Sequence, residues 1–225
     1  MTVLAAAEAY RLWAPAYSAE TAISQIEDEL VAAVTPPLIG LRLLDAGCGT
    51  GRRLIRVDAE QAVGVDLCAE MIEAGAHSLA GFDRVRTVVG DIRALPFADG
   101  SFEVVWCRLV IGHLPDCTSV YRELARLVAP GGRAIVSDFH SDAYAAGHRR
   151  TFRSGERVHE VEHYVHDLST QLRAAAECGL EILAVKEGCI GASAERFYEA
   201  SGRSELFGEH QGLPVVLALS FRRGA

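Results

Sequence analysis

The chain has 225 residues, half of them hydrophobic, and a formal net charge of −8. That length suits one substantial α/β domain better than two, and the apolar content excludes a disordered chain. The acidic balance argues against a nucleic-acid partner, because phosphate binding needs clustered cations and the arginines here are scattered or stand near acids.

Six cysteines (Cys48, Cys68, Cys107, Cys117, Cys178, Cys189) form no C-x-x-C pair, and several sit inside apolar runs. They read as small buried hydrophobes in a reducing, cytoplasmic compartment. The first residues have no basic n-region, and Glu8 and Arg11 interrupt their apolar stretch, so no signal peptide is expected. No stretch of about 18 uncharged apolar residues is present to span a membrane.

In chain order, residues 19–34 place Ile23, Ile26, Leu30 and Val34 at helical spacing, and Pro36-Pro37 stops that helix. Strand-like runs follow at 41–46, 62–66, 85–89, 102–107 and 133–138. Between them lie amphipathic segments at 52–60, 69–80 and 119–128, each predicted to be a helix. Residues 139–166 are polar, histidine-rich and weakly periodic. Residues 168–178 read as a helix ended by Gly179, and 180–185 as a strand. Residues 188–212 read as loop and short helix, and 213–221 as a closing strand. The alternation predicts an α/β, Rossmann-like, doubly wound fold, its mainly parallel seven-stranded sheet covered by helices on both faces.

The sharpest local feature is Asp45-Ala46-Gly47-Cys48-Gly49-Thr50-Gly51, a strand end running into a glycine-rich turn. Glycines serve where the backbone turns sharply and approaches a ligand without a Cβ in the way. A dinucleotide fingerprint would have glycine at position 52, where this chain has Arg. Nineteen residues after Gly47, a second strand ends in Asp66, the spacing at which a carboxylate reaches ribose hydroxyls. Gly90-Asp91-Ile92 closes the third strand, offering an acceptor for an adenine amine and an apolar cover for its ring.

With these residues the chain resembles the class I S-adenosylmethionine-dependent methyltransferases, in particular the type 11, ubiquinone/menaquinone-biosynthesis-like branch. The resemblance covers roughly residues 10–140. It rests also on the run from Gly90 to Phe97, on Phe102-Glu103-Val104-Val105-Trp106-Cys107 with Gly112-His113-Leu114, and on the turn from Leu127 to Arg133. Arg108 departs from it, standing where a small or apolar residue is common. The resemblance implies S-adenosyl-L-methionine as cofactor, held by Asp45, Gly47, Gly49, Gly51, Asp66, Leu67, Asp91, Ile92 and Cys107. It implies one domain over 1–225, with a helical lid over 1–40 and a cofactor-binding core over 41–138. Substrate-side insertions are expected at 139–166 and 188–212.

The activity so implied is methyl transfer to a soluble small molecule, with no nucleic-acid or membrane partner. The rival is a non-catalytic, cofactor-binding regulator of the same fold. Candidate catalytic residues are His113 after the fourth strand, His140 after the fifth, and Tyr17, which with Tyr10 and Trp13 resembles a segment laid over the cofactor. Five of the eight histidines (His140, His148, His159, His163, His166) fall between 140 and 166. Were 158–166 helical, His159, His163 and His166 would share a face and offer metal ligands; as a strand, His159 and His163 would share one face and His166 the other; as rim residues or as an acid/base they would need no metal. No metal ligand is assigned. The sequence leaves oligomeric state open.

Overall fold

The computed structural model describes residues 2–17 and 20–224. A short strand β1 (Thr2–Leu4) leads into α1 (Ala6–Trp13) and then α2 (Ala22–Val34). Thr21 begins α2, its hydroxyl accepting from the Ser24 amide while the Ser24 hydroxyl accepts from the Thr21 amide. Residue 19, where the spacing starts this helix, lies outside the described residues. The helix ends at Val34 because Thr35 precedes Pro36 and takes an extended backbone.

The expected parallel sheet follows: β2 (Arg42–Ala46), β3 (Gln61–Asp66), α3 (Ala69–Leu79), β4 (Val85–Val89), β5 (Phe102–Arg108), α4 (Thr118–Leu127) and β6 (Val128–Phe139). Further on come α5 (Ser141–Ala145), β7 (Thr151–Ser154), β8 (Arg157–Val161), α6 (Leu168–Glu177), β9 (Leu180–Cys189), α7 (Ala192–Ala200), α8 (Ser204–His210) and β10 (Pro214–Arg223). The main sheet has seven strands in the order β4-β3-β2-β5-β6-β10-β9, and β10 runs antiparallel to both of its neighbours while the other pairings are parallel. Period-two alternation sends Leu44, Val105 and Val136 to the face covered by Tyr121 and Leu124 of α4 and by Ala174 and Ala175 of α6. It sends Leu43, Val104, Trp106 and Ile135 to the face covered by Val31 and Val34 of α2.

Two expectations are corrected, and residues 139–166 take a form that their composition left open. Residues 52–60 hold a single 3₁₀ turn, Leu54–Arg56, and no α-helix. Nine residues wound as a helix advance only about 13 Å, less than the roughly 17 Å length of the five-residue strand they run back along, and after the single turn the backbone opens into an extended conformation at Val57. Residues 188–212 are largely helical, because β9 continues to Cys189 and α7 and α8 then bury Ala194, Tyr198 and Phe207 against Ile26, Val215 and Val216. Residues 139–166 contain a hairpin: β7 pairs antiparallel with β8, and β8 pairs parallel with β1. This three-stranded sheet and α1 share a small core of Leu4, Ala9, Trp13, Phe152 and Val161. The N-terminal segment and the hairpin therefore make one composite cap.

Gly75 in α3 is required by close approach. A Cβ there would lie 1.9 Å from the Thr50 carbonyl oxygen, in the backbone of the glycine-rich turn. Gly75→Ala should lower stability by about 1–3 kcal/mol, the usual penalty for overpacking, by pushing α3 off the turn. Urea denaturation checks this; an unchanged midpoint would mean the helix has room to spare.

Candidate active site

The carboxyl ends of β2 to β5 open into one cavity of about 510 Å³, roofed by the composite cap. That volume is within the range of small-molecule sites. Its floor is the glycine-rich turn. The Gly47 and Cys48 amides donate to the Val65 carbonyl at 2.7 and 2.9 Å, which ties the turn to the end of β3. Gly47 has φ of 86°, and a Cβ there would meet Val110 Cγ2 at 2.2 Å. Asp66 fastens the same turn: its Oδ2 accepts from the Gly49 amide at 2.7 Å and its Oδ1 from the Cys68 amide at 2.9 Å. Burial raises the Asp66 pKa against these bonds. Asp66 still lines the cavity.

Several other residues singled out by sequence also line it: Gly49, Leu67, Asp91, Ile92, His113 and Tyr17. Leu67 is 56% exposed, an apolar flap at the rim. Asp91 is already held by Arg93, whose guanidinium donates to both carboxylate oxygens and keeps the pKa low.

Others do not reach the cavity wall. Gly51 is walled in by Leu79, Thr87 and Leu54 and serves packing. Cys107 faces the core between the sheet and α4, by the alternation of β5, and burial pushes its thiol far up. Asp45 lies fully buried beneath the turn with no hydrogen-bond partner for either oxygen, and burial pushes it up to about 6.

His140, expected to face the reacting group, is turned away. Its Nδ1 accepts from the Asp142 amide at 3.1 Å, capping α5, and its Nε2 lies 3.5 Å from Glu187. The histidine cluster also disperses. His159 stacks on Phe152 in the cap, His163 packs on Gly112 and His166 bonds the Leu114 carbonyl at 2.8 Å. Because 157–161 is a strand, the helical face that would have offered metal ligands does not form. Among the described residues, no three His, Cys, Asp or Glu side chains are grouped to hold a metal.

The roof is aromatic. Tyr10, Trp13 and Tyr17 pack together at ring-centroid distances of 5.0–5.9 Å, and Trp13 stacks on Phe152 of β7. The Cβ position of Gly49 lies 3.5 Å from the Tyr17 ring, so the roof sits directly over the turn. His113 lies 3.3 Å through Nδ1 from the Glu162 carbonyl, which can only accept. Nδ1 therefore carries the proton, and Nε2 accepts from the Tyr10 hydroxyl at 2.9 Å. Burial, with Arg150 adding repulsion, pushes His113 down to about 3, while burial holds Tyr10 protonated. Both are neutral at physiological pH.

Sequence reasoning missed the ionic knot beside the cavity. Glu27 of α2, fully buried, accepts from Arg108 at 2.8 and 2.6 Å, from Arg53 at 2.9 Å and from the Ser137 hydroxyl at 2.6 Å. Asp28 completes it by pairing with both arginines. Burial alone would raise the Glu27 pKa, but the two guanidiniums outweigh it and the net shift is downward. A signal was present: Glu27 follows Ile23 by four residues, on the apolar face of α2, and Arg108 stood out as unusual.

Residues 44–136 match the family described as "Methyltransferase domain". The chain is 36% identical over 148 residues to 27-O-demethylrifamycin SV methyltransferase of Amycolatopsis mediterranei, covering 63% of this chain and 53% of that protein. It is 35% identical over 105 residues to demethylmenaquinone methyltransferase of Clavibacter sepedonicus, covering 46% and 43%. The chain thus spans about half the length of the curated relatives it matches. The fold superimposes on an S-adenosylmethionine-dependent methyltransferase from Mesorhizobium loti with a TM-score of 0.70 and 21% identity, covering 90% of this chain and all of that one. Residues 44–136 therefore match a methyltransferase domain, and the chain shares the fold of an S-adenosylmethionine-dependent methyltransferase.

Removing one partner of a buried ion pair strands the others, at a cost of about 3–5 kcal/mol. Glu27→Ala should lose stability on that scale, leaving Arg108 and Arg53 with only the half-buried Asp28. Chemical denaturation measures it; a loss below about 1 kcal/mol would show that the knot contributes little.

Proposed function

We propose that the protein transfers a methyl group from S-adenosyl-L-methionine to a small-molecule acceptor, both held in the single cavity beneath the cap. The observation that carries this reading is the cavity's two-sided lining. Gly47, Gly49, Asp66, Leu67 and Ile92 form one side, while Tyr10, Trp13, Tyr17, His113 and Arg150 close the other. When bound, the donor supplies an electrophilic methyl on a sulfonium.

The residues fit such a guest. The glycine backbone leaves room where side chains would intrude, and Asp66 has lone pairs free for ribose hydroxyls. Leu67 and Ile92 give apolar faces for a purine. The Tyr10, Trp13 and Tyr17 rings sit where a sulfonium benefits from cation–π attraction. Neutral His113 fixes Tyr10 by accepting a hydrogen bond from its hydroxyl, which leaves the Tyr10 oxygen to accept from an acceptor's hydroxyl or amine. These residues position; none is a strong base at neutral pH, so rate comes chiefly from holding the nucleophile in line and excluding water. Tyr17 and His113 keep their assigned place in this reading. His140 leaves it.

The chain is read as one domain. Residues 41–138 hold the donor, and the cap of residues 2–17 and 139–166 bounds the acceptor. Residues 188–212, absent from the cavity wall, do not belong to the substrate side. A cavity of this volume, partly covered by the cap, suits a small molecule, and the demethylrifamycin and demethylmenaquinone in the relatives' names are in keeping with that. No described helix is long and apolar enough to cross a membrane.

Calorimetry with S-adenosylhomocysteine tests the donor half. Asp66→Ala should weaken binding by about 1.5–3 kcal/mol, the range for lost hydrogen bonds to a charged group. Unchanged affinity would remove Asp66 from the ribose role. A labelled-methyl assay on fractionated cell extract tests the acceptor half: label is expected in the low-mass fraction, and label in macromolecules alone would overturn the assignment.

A further inference from the structure

Six arginines line the cavity, and four of them have carboxylate partners. Arg53 and Arg108 are held by Glu27 and Asp28, Arg93 by Asp91, and Arg149 by Glu160 at 3.7 Å. Arg52 and Arg150 have none: no carboxylate of the described residues lies within 4.0 Å of either guanidinium. Both are partly buried. Arg150 is fixed from several sides. Its backbone carbonyl accepts from the Val161 amide at 2.8 Å, its guanidinium donates to the Leu109 carbonyl at 3.1 Å, and it stands 5.6 Å from the Tyr10 ring centre. The acids nearby do not serve it. Glu162 is exposed and bonds Tyr164, and Asp138 is held by the Phe139 amide and Gln171. An unpaired guanidinium in a cavity wall is costly to maintain unless a ligand completes it.

We propose that Arg150 is the acceptor-binding residue for an anionic group, so that the small molecule methylated here carries a carboxylate or phosphate. The inference rests on the methyl-transfer reading and deepens it by arithmetic of charge. The donor brings one carboxylate, and the cavity offers two unpaired guanidiniums. Arg52 follows Gly51 directly and stands on the donor's floor. Arg150 comes from the cap, beside the loop after β5, away from the ends of β3 and β4 where ribose and purine are placed. The planar fork of an arginine suits two-point recognition of an oxyanion.

The test uses protein saturated with S-adenosylhomocysteine, titrated at constant ionic strength with succinate, inorganic phosphate and neutral succinamide. Calorimetry and the thermal midpoint are the readouts. Succinate or phosphate should bind and raise the midpoint, and succinamide should not. Arg150→Gln should weaken the anion by about tenfold or more while leaving the affinity for S-adenosylhomocysteine within about twofold. Arg150→Lys, which keeps charge without the fork, should retain part of the anion binding and guards against a misfolded variant. Arg52→Gln should show the reverse pattern. If Arg150→Gln instead costs S-adenosylhomocysteine about tenfold, and the saturated wild type binds no anion, Arg150 serves the donor's own carboxylate and the proposal falls. Anion binding equal in wild type and Arg150→Gln also ends it. Failure of S-adenosylhomocysteine to bind at all would instead remove the donor reading, and the same titrations of unliganded protein would still decide Arg150.

Discussion

The Glu27 carboxylate is the point at which α2 is joined to the segment after the glycine-rich turn and to the ends of β5 and β6. Four donated hydrogen bonds converge on it from three places in the chain: Arg53 after the glycine-rich turn, Arg108 at the end of β5 and Ser137 near the end of β6. The knot replaces a missing element. The segment after the glycine turn is too short to return along its strand as a helix, so it lacks the packing a helix would give it. Arg53 anchors it to α2 instead. Arg108, lying over the Trp106 ring as well, fixes the strand end from which Leu109 and Val110 enter the cavity. Leu109 is the only described non-glycine residue with positive φ, at 56°, and its amide donates to the Ser137 carbonyl. A left-handed residue of this size is strained. The knot sits at the residue before it and holds Ser137 opposite. Buried ion pairs are weak evidence of net stability but strong determinants of geometry, and geometry is what this one provides.

The cap is the second half of the arrangement. One parallel pairing, β1 on β8, unites two pieces of chain separated by more than a hundred residues. Its lower edge is sewn to the loop after β5: the Tyr164 amide donates to the Gly112 carbonyl at 2.7 Å, and His163 occupies the space a Cβ at Gly112 would need. Burial pushes His163 down to about 4, so it packs as a neutral ring. The three aromatic rings of the N-terminal segment are thereby held above the glycine turn, and Arg150 is delivered from the hairpin to the same space.

How much of this could be read beforehand follows from how local each signal is. The glycine turn, Asp66 and the strand–helix alternation were legible, because each depends on a few consecutive residues or one fixed spacing. The 3₁₀ turn after Gly51 was not. Residues 52–60 have helical periodicity, and only the distance to be spanned forbids the helix. Cys107 was misplaced by two-fold alternation: one residue decides whether a strand's last side chains face core or cavity. His140 follows β6 as read, but it starts a short helix and spends its ring on the cap of that helix. The hairpin was hidden because β7 and β8 bury little more than Phe152 and Val161, and its third strand lies at the other end of the chain. Arg150 and Glu27 each look like ordinary charged residues until the fold removes their solvent.

The central claim is that donor and acceptor share the cavity between the glycine turn and the composite cap. A crystal structure with S-adenosylhomocysteine tests it most directly. The account predicts ribose hydroxyls on Asp66, the purine between Leu67 and Ile92, and the sulfur beneath Tyr10, Trp13 and Tyr17. The space left over should be bounded by His113 and Arg150. A ligand found outside this cavity, or one whose sulfur points away from His113 and Arg150, would contradict it.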